Sequence, residues 1–393
     1  MLANGGIPFG AMTATEIPID GDLARLPRAR SAIEAGIAEG LHLGAQLYVA
    51  LRGETVADAA VGEDRPGIPL RRDSLALWQS TTKPVVAVAL ARLWERGLLE
   101  LDDPVARHLP EFAAHDKERI TLRHLLTHTG GIRMLDVGWP RDPWETIVAR
   151  IAAAKPEPRW EPGRKAGYHP ASSWFVLGEV LARLTGLPFE RAVREEVFEP
   201  LGMADCWIGM PPERWRAARE EGRLGTMWDT EAAPPRPDSS DSEARCVRPN
   251  PGGNGRGPVR ELARLYEMLR GRGTLGGRQV LSPQAVEAIG ARHRVGMVDL
   301  TFRHKLDWGL GVIVDSKHYG EETVPYGYGR HASPRTFGHS GRRSSTAFLD
   351  PEHGLVVALV FNGTPADEAH ERRMRAALEG IYEDLGLAQS PNG

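Results

Sequence analysis

The sequence predicts an α+β fold in which a sheet built from both ends of the chain is interrupted by a mainly helical segment. Three observations predict it. Apolar runs of strand width occur near the N-terminus and again after residue 300. Between them, stretches of helical periodicity alternate with Pro and Gly punctuation such as Glu161-Pro162-Gly163. The chain then finishes on one more helical stretch, and its 393 residues are enough to bury a substantial core.

Taken in order, Leu23 to Gly40 reads as an amphipathic helix, followed by a strand pair at Ala45 to Arg52 and Glu54 to Val61 turned at Gly53. Helices are expected at 80–97, 121–128, 143–153, 171–185 and 188–197. Residues 209–258, with Pro234-Pro235-Arg236-Pro237 at their centre, read as a long surface excursion of the kind that often carries function. Helical pattern returns at 259–271 and 283–290. Strands are expected at Trp308 to Asp315, Thr336 to Gly341, Ser344 to Asp350 and Leu355 to Phe361, with a last helix from about Pro365 to Leu385. The implied division is a discontinuous sheet domain of 1–79 and 300–393 around a helical domain of 80–299.

Composition narrows the function. A net charge of −3 without a dense basic run excludes a nucleic-acid partner. Cys206 and Cys246 have no metal or redox spacing, so no metal or cofactor is expected and both read as reduced thiols. Met1 to Asp20 lacks a basic region followed by a long apolar core, and no later segment has the length and apolarity of a membrane span. The expectation is a cytoplasmic enzyme.

Ser80-Thr81-Thr82-Lys83 is the stretch that points to chemistry. Lysine is scarce, 6 against 43 arginines, so each lysine carries information. Positions three apart share a helix face, which sets the Lys83 amine beside the Ser80 hydroxyl. A serine becomes a nucleophile when a neighbour takes its proton, and a desolvated lysine can be that neighbour. A helix N-terminus adds backbone N–H groups for an oxyanion. The same spacing also describes an N-capping serine followed by a solvated lysine. Tyr168, in the loop from Pro162 to Pro170, could serve as a general base if held as tyrosinate, or be a partly buried aromatic. Phe337-Gly338-His339-Ser340-Gly341-Arg342 is a strand ending in small residues, where Gly341 lets a backbone approach closely. There the Arg342 N–H could join that of Ser80 in an oxyanion hole. It is not a G-x-S-x-G elbow, and Gly253-Asn254-Gly255 misses the dinucleotide fingerprint.

Together these motifs resemble the serine β-lactamase-like superfamily, on the branch of class C β-lactamases, D-alanyl-D-alanine carboxypeptidases, family VIII esterases and transacylases. Ser80-Thr81-Thr82-Lys83, Tyr168 after Glu161-Pro162-Gly163, and His339-Ser340-Gly341 stand in the family's order. The stretches Ile120 to Gly131, Pro200-Leu201-Gly202-Met203 and Trp308-Gly309-Leu310-Gly311 agree, and the similarity runs from about residue 25 to 385. The resemblance implies a three-layer α/β/α domain with a central antiparallel sheet, an all-helical domain, and a cleft between them. It implies Ser80 as acylated nucleophile, Lys83 as its proton acceptor or electrostatic partner, and Tyr168 as general base or acid. The N–H groups of Ser80 and Arg342 would bind the oxyanion, and His339, Ser340, Gly341 and His169 the substrate.

Two departures narrow the expectation. Tyr168-His169-Pro170 lacks the asparagine of the family's Tyr-x-Asn, and His339 replaces a lysine with a group that titrates near neutrality. Both point away from efficient β-lactam hydrolysis. The expected partner is a small-molecule ester or amide, with water, an amine or an alcohol as acyl acceptor. A D-amino-acid amidase or peptidase, a weak β-lactamase, and a catalytically idle binding or assembly protein are the alternatives. If His339 meets substrate, activity should titrate between about pH 6 and 8. The 209–258 excursion and the segment Tyr319 to Tyr328 could shape the pocket or be ordinary surface loops.

Overall fold

The computed structural model describes residues 17–388; the outer ends of the sheet segment, 1–16 and 389–393, and most of the Met1–Asp20 reading lie outside them. Eight strands form the main sheet. They are β1 (Ile19–Asp22), β2 (Gly44–Leu51), β3 (Glu54–Arg65), β4 (Asp307–Trp308), β5 (Ile313–Val314), β6 (Phe337–Ser340), β7 (Ser345–Asp350) and β8 (Leu355–Phe361). Their order is β1-β3-β2-β8-β7-β6-β5-β4, antiparallel throughout, and Ile68–Pro69 adds a short strand to β3. The N-terminal and C-terminal strands meet where β8 pairs with β2.

Side-chain alternation along β8 builds two layers of core. Val356, Ala358 and Val360 face one apolar cluster, while Leu355, Val357, Leu359 and Phe361 face the other. A strand buried on both faces has no room for polar residues, which is why Leu355 to Phe361 is a continuous apolar run. One face carries α1 (Pro27–Ala38) and the C-terminal helix, here called the closing helix (Asp367–Asp384). A Cβ on Gly380 would lie 2.8 Å from the Ala29 amide nitrogen, so glycine permits these two helices to touch. The opposite face packs on the helix Val259–Arg270 through residues such as Leu262, Leu265 and Tyr266. This gives three layers, with α2 (Lys83–Glu95), Leu122–Leu126 and Ser172–Thr185 beyond. The helix Val259–Arg270, from the segment read as the helical domain, thus lies directly on the sheet.

Three elements differ from the sequence reading. The 209–258 excursion contains the helix Pro212–Glu220, the helix Glu243–Val247 and a short strand pair at Trp228–Asp229 and Arg236–Pro237. Pro212–Glu220 is charged nearly all round and buries only Ala218, so it carries little apolar periodicity. The expected strand Trp308 to Asp315 is two short strands, β4 and β5, turned through Gly309 to Val312, with Gly311 donating to the Leu126 carbonyl. Ser80 lies in a 3-10 turn, Gln79–Thr82, and the α-helix begins at Lys83. No helix among the described residues is long and apolar enough to cross a membrane.

His42, His128, His169, His339 and His370 are buried, and burial lowers the pKa of each. Their folded values lie below the unfolded value near 6.5, so at acid pH the unfolded chain binds protons that the folded chain does not. Stability is therefore complete above about pH 6.5 and falls as pH drops below it, by up to about 1.4 kcal/mol per pH unit for each histidine. Urea unfolding at pH 7.5 and 5.0 should show a markedly lower midpoint at pH 5.0; equal midpoints would contradict the buried, neutral histidines.

Candidate active site

The nucleophile turn is held from below by its own threonines. Thr81 Oγ1 donates to the Trp78 carbonyl, and Thr82 Oγ1 donates to the Gln79 carbonyl at 2.6 Å while accepting from the Gly255 N–H at 2.9 Å. Gln79 has a left-handed φ of 52°, a strained value for a side chain of this size immediately before Ser80. Within this tight turn, residues three apart eclipse one another. Lys83 Nζ accordingly sits 3.0 Å from Ser80 Oγ.

Two further groups complete the arrangement. The Tyr168 hydroxyl donates to Ser80 Oγ at 2.7 Å. Lys83 Nζ also donates to the carbonyls of Pro170, at 3.2 Å, and Gly252. Its amine lies 4.9 Å from the Tyr168 ring centre and 5.6 Å from that of Trp174, and no carboxylate among the described residues pairs with it. Burial pushes its pKa well below that of an ordinary lysine. Burial has the opposite sign for a phenol, and the Tyr168 hydroxyl is pushed far above its usual range, only partly opposed by its bond to Ser80. Of the two sequence readings of Tyr168, burial therefore favours the hydrogen-bonded neutral phenol over a resting tyrosinate, and the same burial favours the uncharged form of the Lys83 amine.

These residues open on a cavity of about 590 Å³ lined by Ser80, Tyr168, His339, Ser340 and Arg342 among others. Met134, Trp139, Phe302 and Tyr326 form its apolar walls, and Asp238, Ser240, Arg245, Asn250, Gly252 and Asn254 bring the end of the 209–258 excursion into it. Of the aromatic segment Tyr319 to Tyr328, only Tyr326 reaches this cavity; Tyr319 bonds to Asp307, and Tyr328 to the Ile313 carbonyl within the core. Among the described residues, no hydrogen bond engages the backbone N–H of Ser80 or of Arg342.

Three sequence expectations change. His169 does not line the cavity. Its Nε2 accepts from the N–H groups of Gly131 and Ile132, both at 3.0 Å, and its backbone N–H donates to His128 Nδ1, so it braces the loop behind Tyr168. His339 does line the cavity, but burial and the neighbouring Lys83 push its pKa to about 3, so it does not titrate near neutrality and no activity limb between pH 6 and 8 follows from it. Its Nδ1 meets the Ser340 carbonyl at 2.8 Å and its ring packs against Trp308 and Tyr168. Gly341 makes its close approach to the nucleophile turn: an added Cβ would fall 2.2 Å from Ser345 Oγ and 2.5 Å from Gln79 Cβ. Gly341→Ala is expected to cost about 1–3 kcal/mol of stability and to lower kcat/KM by displacing β6 from that turn; an unchanged melting temperature would contradict this.

Sequence reasoning missed the residues that hold Tyr168 in place. Asp299 Oδ1 accepts from the Tyr168 N–H at 3.0 Å and from the N–H groups of Thr301 and Phe302, while Oδ2 pairs with the buried Arg294 at 3.1 Å. The signal available was an aspartate inside the apolar stretch Val298-Asp299-Leu300. The Gly252 and Pro170 carbonyls had no such signal.

The fold has solved relatives. A penicillin-binding protein homologue from Caulobacter crescentus is 32% identical with a TM-score of 0.74, over 92% of this chain and 100% of that one. A family VIII carboxylesterase is 29% identical with a TM-score of 0.76, over the same shares of each chain. The esterase/beta-lactamase LipL of Mycobacterium tuberculosis is 28% identical over 352 residues, which is 81% of this chain and 77% of LipL. The sequence model of the beta-lactamase family matches residues 29–381, and this chain belongs to that family.

Proposed function

We propose that this chain is a serine hydrolase or acyltransferase that cleaves esters or amides of small molecules through an acyl-enzyme on Ser80. One observation carries the reading: Ser80 Oγ is met at once by a buried lysine amine and a neutral phenol, inside a cavity. A neutral amine has two N–H bonds and one lone pair. With the N–H bonds directed to the carbonyls of Pro170 and Gly252, the lone pair is left for the Ser80 proton. Ser80 Oγ then bonds to the substrate carbonyl carbon as its proton passes to Lys83, and the N–H groups of Ser80 and Arg342 receive the oxyanion. As the tetrahedral species collapses, the bond to the leaving group breaks. Tyr168 gives its proton to the leaving atom and recovers one from the Lys83 ammonium. Water or another acceptor repeats the sequence in reverse.

Apolar walls at Met134, Trp139, Phe302 and Tyr326 favour an uncharged acyl or alcohol group. A neutral His339, and Pro170 where an asparagine amide would orient a β-lactam side chain, disfavour β-lactams. The relatives named as esterases support the same direction. The test compares p-nitrophenyl butyrate with nitrocefin. The ester should have a kcat/KM higher by about 100-fold or more. A preference for nitrocefin would overturn the substrate class, and turnover of neither would favour a binding or assembly role.

A second cavity of about 590 Å³ adjoins the first and shares Gln79, Asp238, Arg245 and Arg342 with it. It offers room for an acyl acceptor beside Ser80 and favours transacylation as the second reading. Adding candidate amines to the ester assay should shift product from free acid to amide if that reading holds.

A further inference from the structure

We propose that the face around the cleft mouth docks on an anionic lipid surface. Six large apolar side chains are exposed among the described residues, and four belong to two adjoining segments: Met134 (69%), Val295 (58%), Val298 (49%) and Leu300 (46%). Val298 and Leu300 stand on the hairpin formed by Val298–Asp299 and His304–Lys305. Met134 is brought beside it by Arg133, which donates to Thr301 Oγ1 at 3.0 Å, and both Met134 and Thr301 line the cleft. Isolated exposed apolar residues need no explanation, but here Met134 lines the cleft and Leu300 directly precedes Thr301 and Phe302, which line it too, with Val295 and Val298 exposed on the same segment.

The charges nearest this group are mainly cationic. Arg164 and Lys165 lead into Ala166, whose carbonyl accepts from the Leu300 N–H, and Arg303 and Lys305 belong to the second half of the hairpin. All four are exposed and none joins an ion pair among the described residues, in a protein where most arginines do. Of the acids in neighbouring segments, Asp299 is committed to Arg294, Glu157 to Arg133 and Glu322 to Arg375, leaving Glu161 and Glu321 unpaired. Protruding apolar side chains ringed by cations are complementary to a bilayer surface, where the tips enter the headgroup boundary and the cations meet anionic lipids. A protein partner would need roughly 800 Å² on each side, more than four side chains supply. Docking here would present the cleft mouth to acyl esters at the surface.

The test is co-sedimentation with vesicles of phosphatidylglycerol and phosphatidylcholine, against vesicles of phosphatidylcholine alone. The protein should pellet with the anionic vesicles, and the binding should weaken as salt is raised. Arg303→Glu with Lys305→Glu should reduce it by about tenfold or more, and Val295→Asp with Val298→Asp should do likewise while leaving the melting temperature and p-nitrophenyl butyrate turnover unchanged. Equal binding to both vesicle types, no binding, or variants that bind as the parent does would each overturn the proposal. So would a dimer in sedimentation equilibrium that Val295→Asp with Val298→Asp dissolves, since the face would then join two copies. The readout needs no catalysis: Ser80→Ala should pellet as the parent does, so failure of docking and failure of the acyl-enzyme reading are told apart.

Discussion

Ser80→Ala is expected to reduce p-nitrophenyl butyrate turnover by about 10⁴-fold or more, because removal of a covalent nucleophile leaves only binding and oxyanion stabilisation. The effect is expected on kcat, with little change in stability. The turn is held by Thr81, Thr82 and Gly255 rather than by the Ser80 side chain. A variant that kept a tenth of the parent rate would remove Ser80 from the chemistry. A fold lost on substitution would show in the melting curve and be distinguished from lost catalysis.

Lys83→Arg is expected to lower kcat by about 10²–10⁴-fold, the range for a general base, although charge and hydrogen-bond donors are retained. The guanidinium holds its proton at every working pH and has no lone pair for the Ser80 proton. In the parent, burial lowers the Lys83 pKa well below 10.5, and the base form is the one required. Activity should therefore rise with pH as Lys83 loses its proton and fall on the acid side as it regains it. Because His339 is held neutral down to about pH 3, His339 contributes no limb of its own near neutrality. Lys83→Arg should remove the acid limb together with most of the rate. A variant with parental kcat and an unchanged profile would assign Lys83 to structure.

Much of this architecture was legible because it depends on side-chain pattern. Leu355 to Phe361 and residues 283–290 have the boundaries read from the sequence, since one is a continuous apolar strand and the other is framed by Ser282 and Pro283. The Ser80–Lys83 pair was legible as a spacing, and Tyr168 as its partner through resemblance to a family. What stayed hidden depends on backbone and environment. The Gly252 and Pro170 carbonyls are available at any residue type, so no sequence marks them as lysine acceptors. His169 was placed at the substrate by the family resemblance; its hydrogen bonds to Gly131 and Ile132 exist only once the loop is folded. The sign of the Tyr168 and His339 shifts is likewise set by burial, which depends on the packing of Trp308 and its neighbours. The helix Pro212–Glu220 escaped notice for the converse reason, with a nearly all-polar surface covering a small apolar cluster.

The central claim is the acyl-enzyme at Ser80, and intact-mass spectrometry tests it most directly. The parent protein is mixed with excess p-nitrophenyl butyrate, quenched in acid within the first turnovers and mapped by peptide fragmentation. The structure predicts one butyryl group, on the Ser80 hydroxyl of the parent and absent from Ser80→Ala. An adduct on any other residue, or ester turnover by the parent with no adduct at Ser80 under conditions that trap one in a control serine hydrolase, would contradict it.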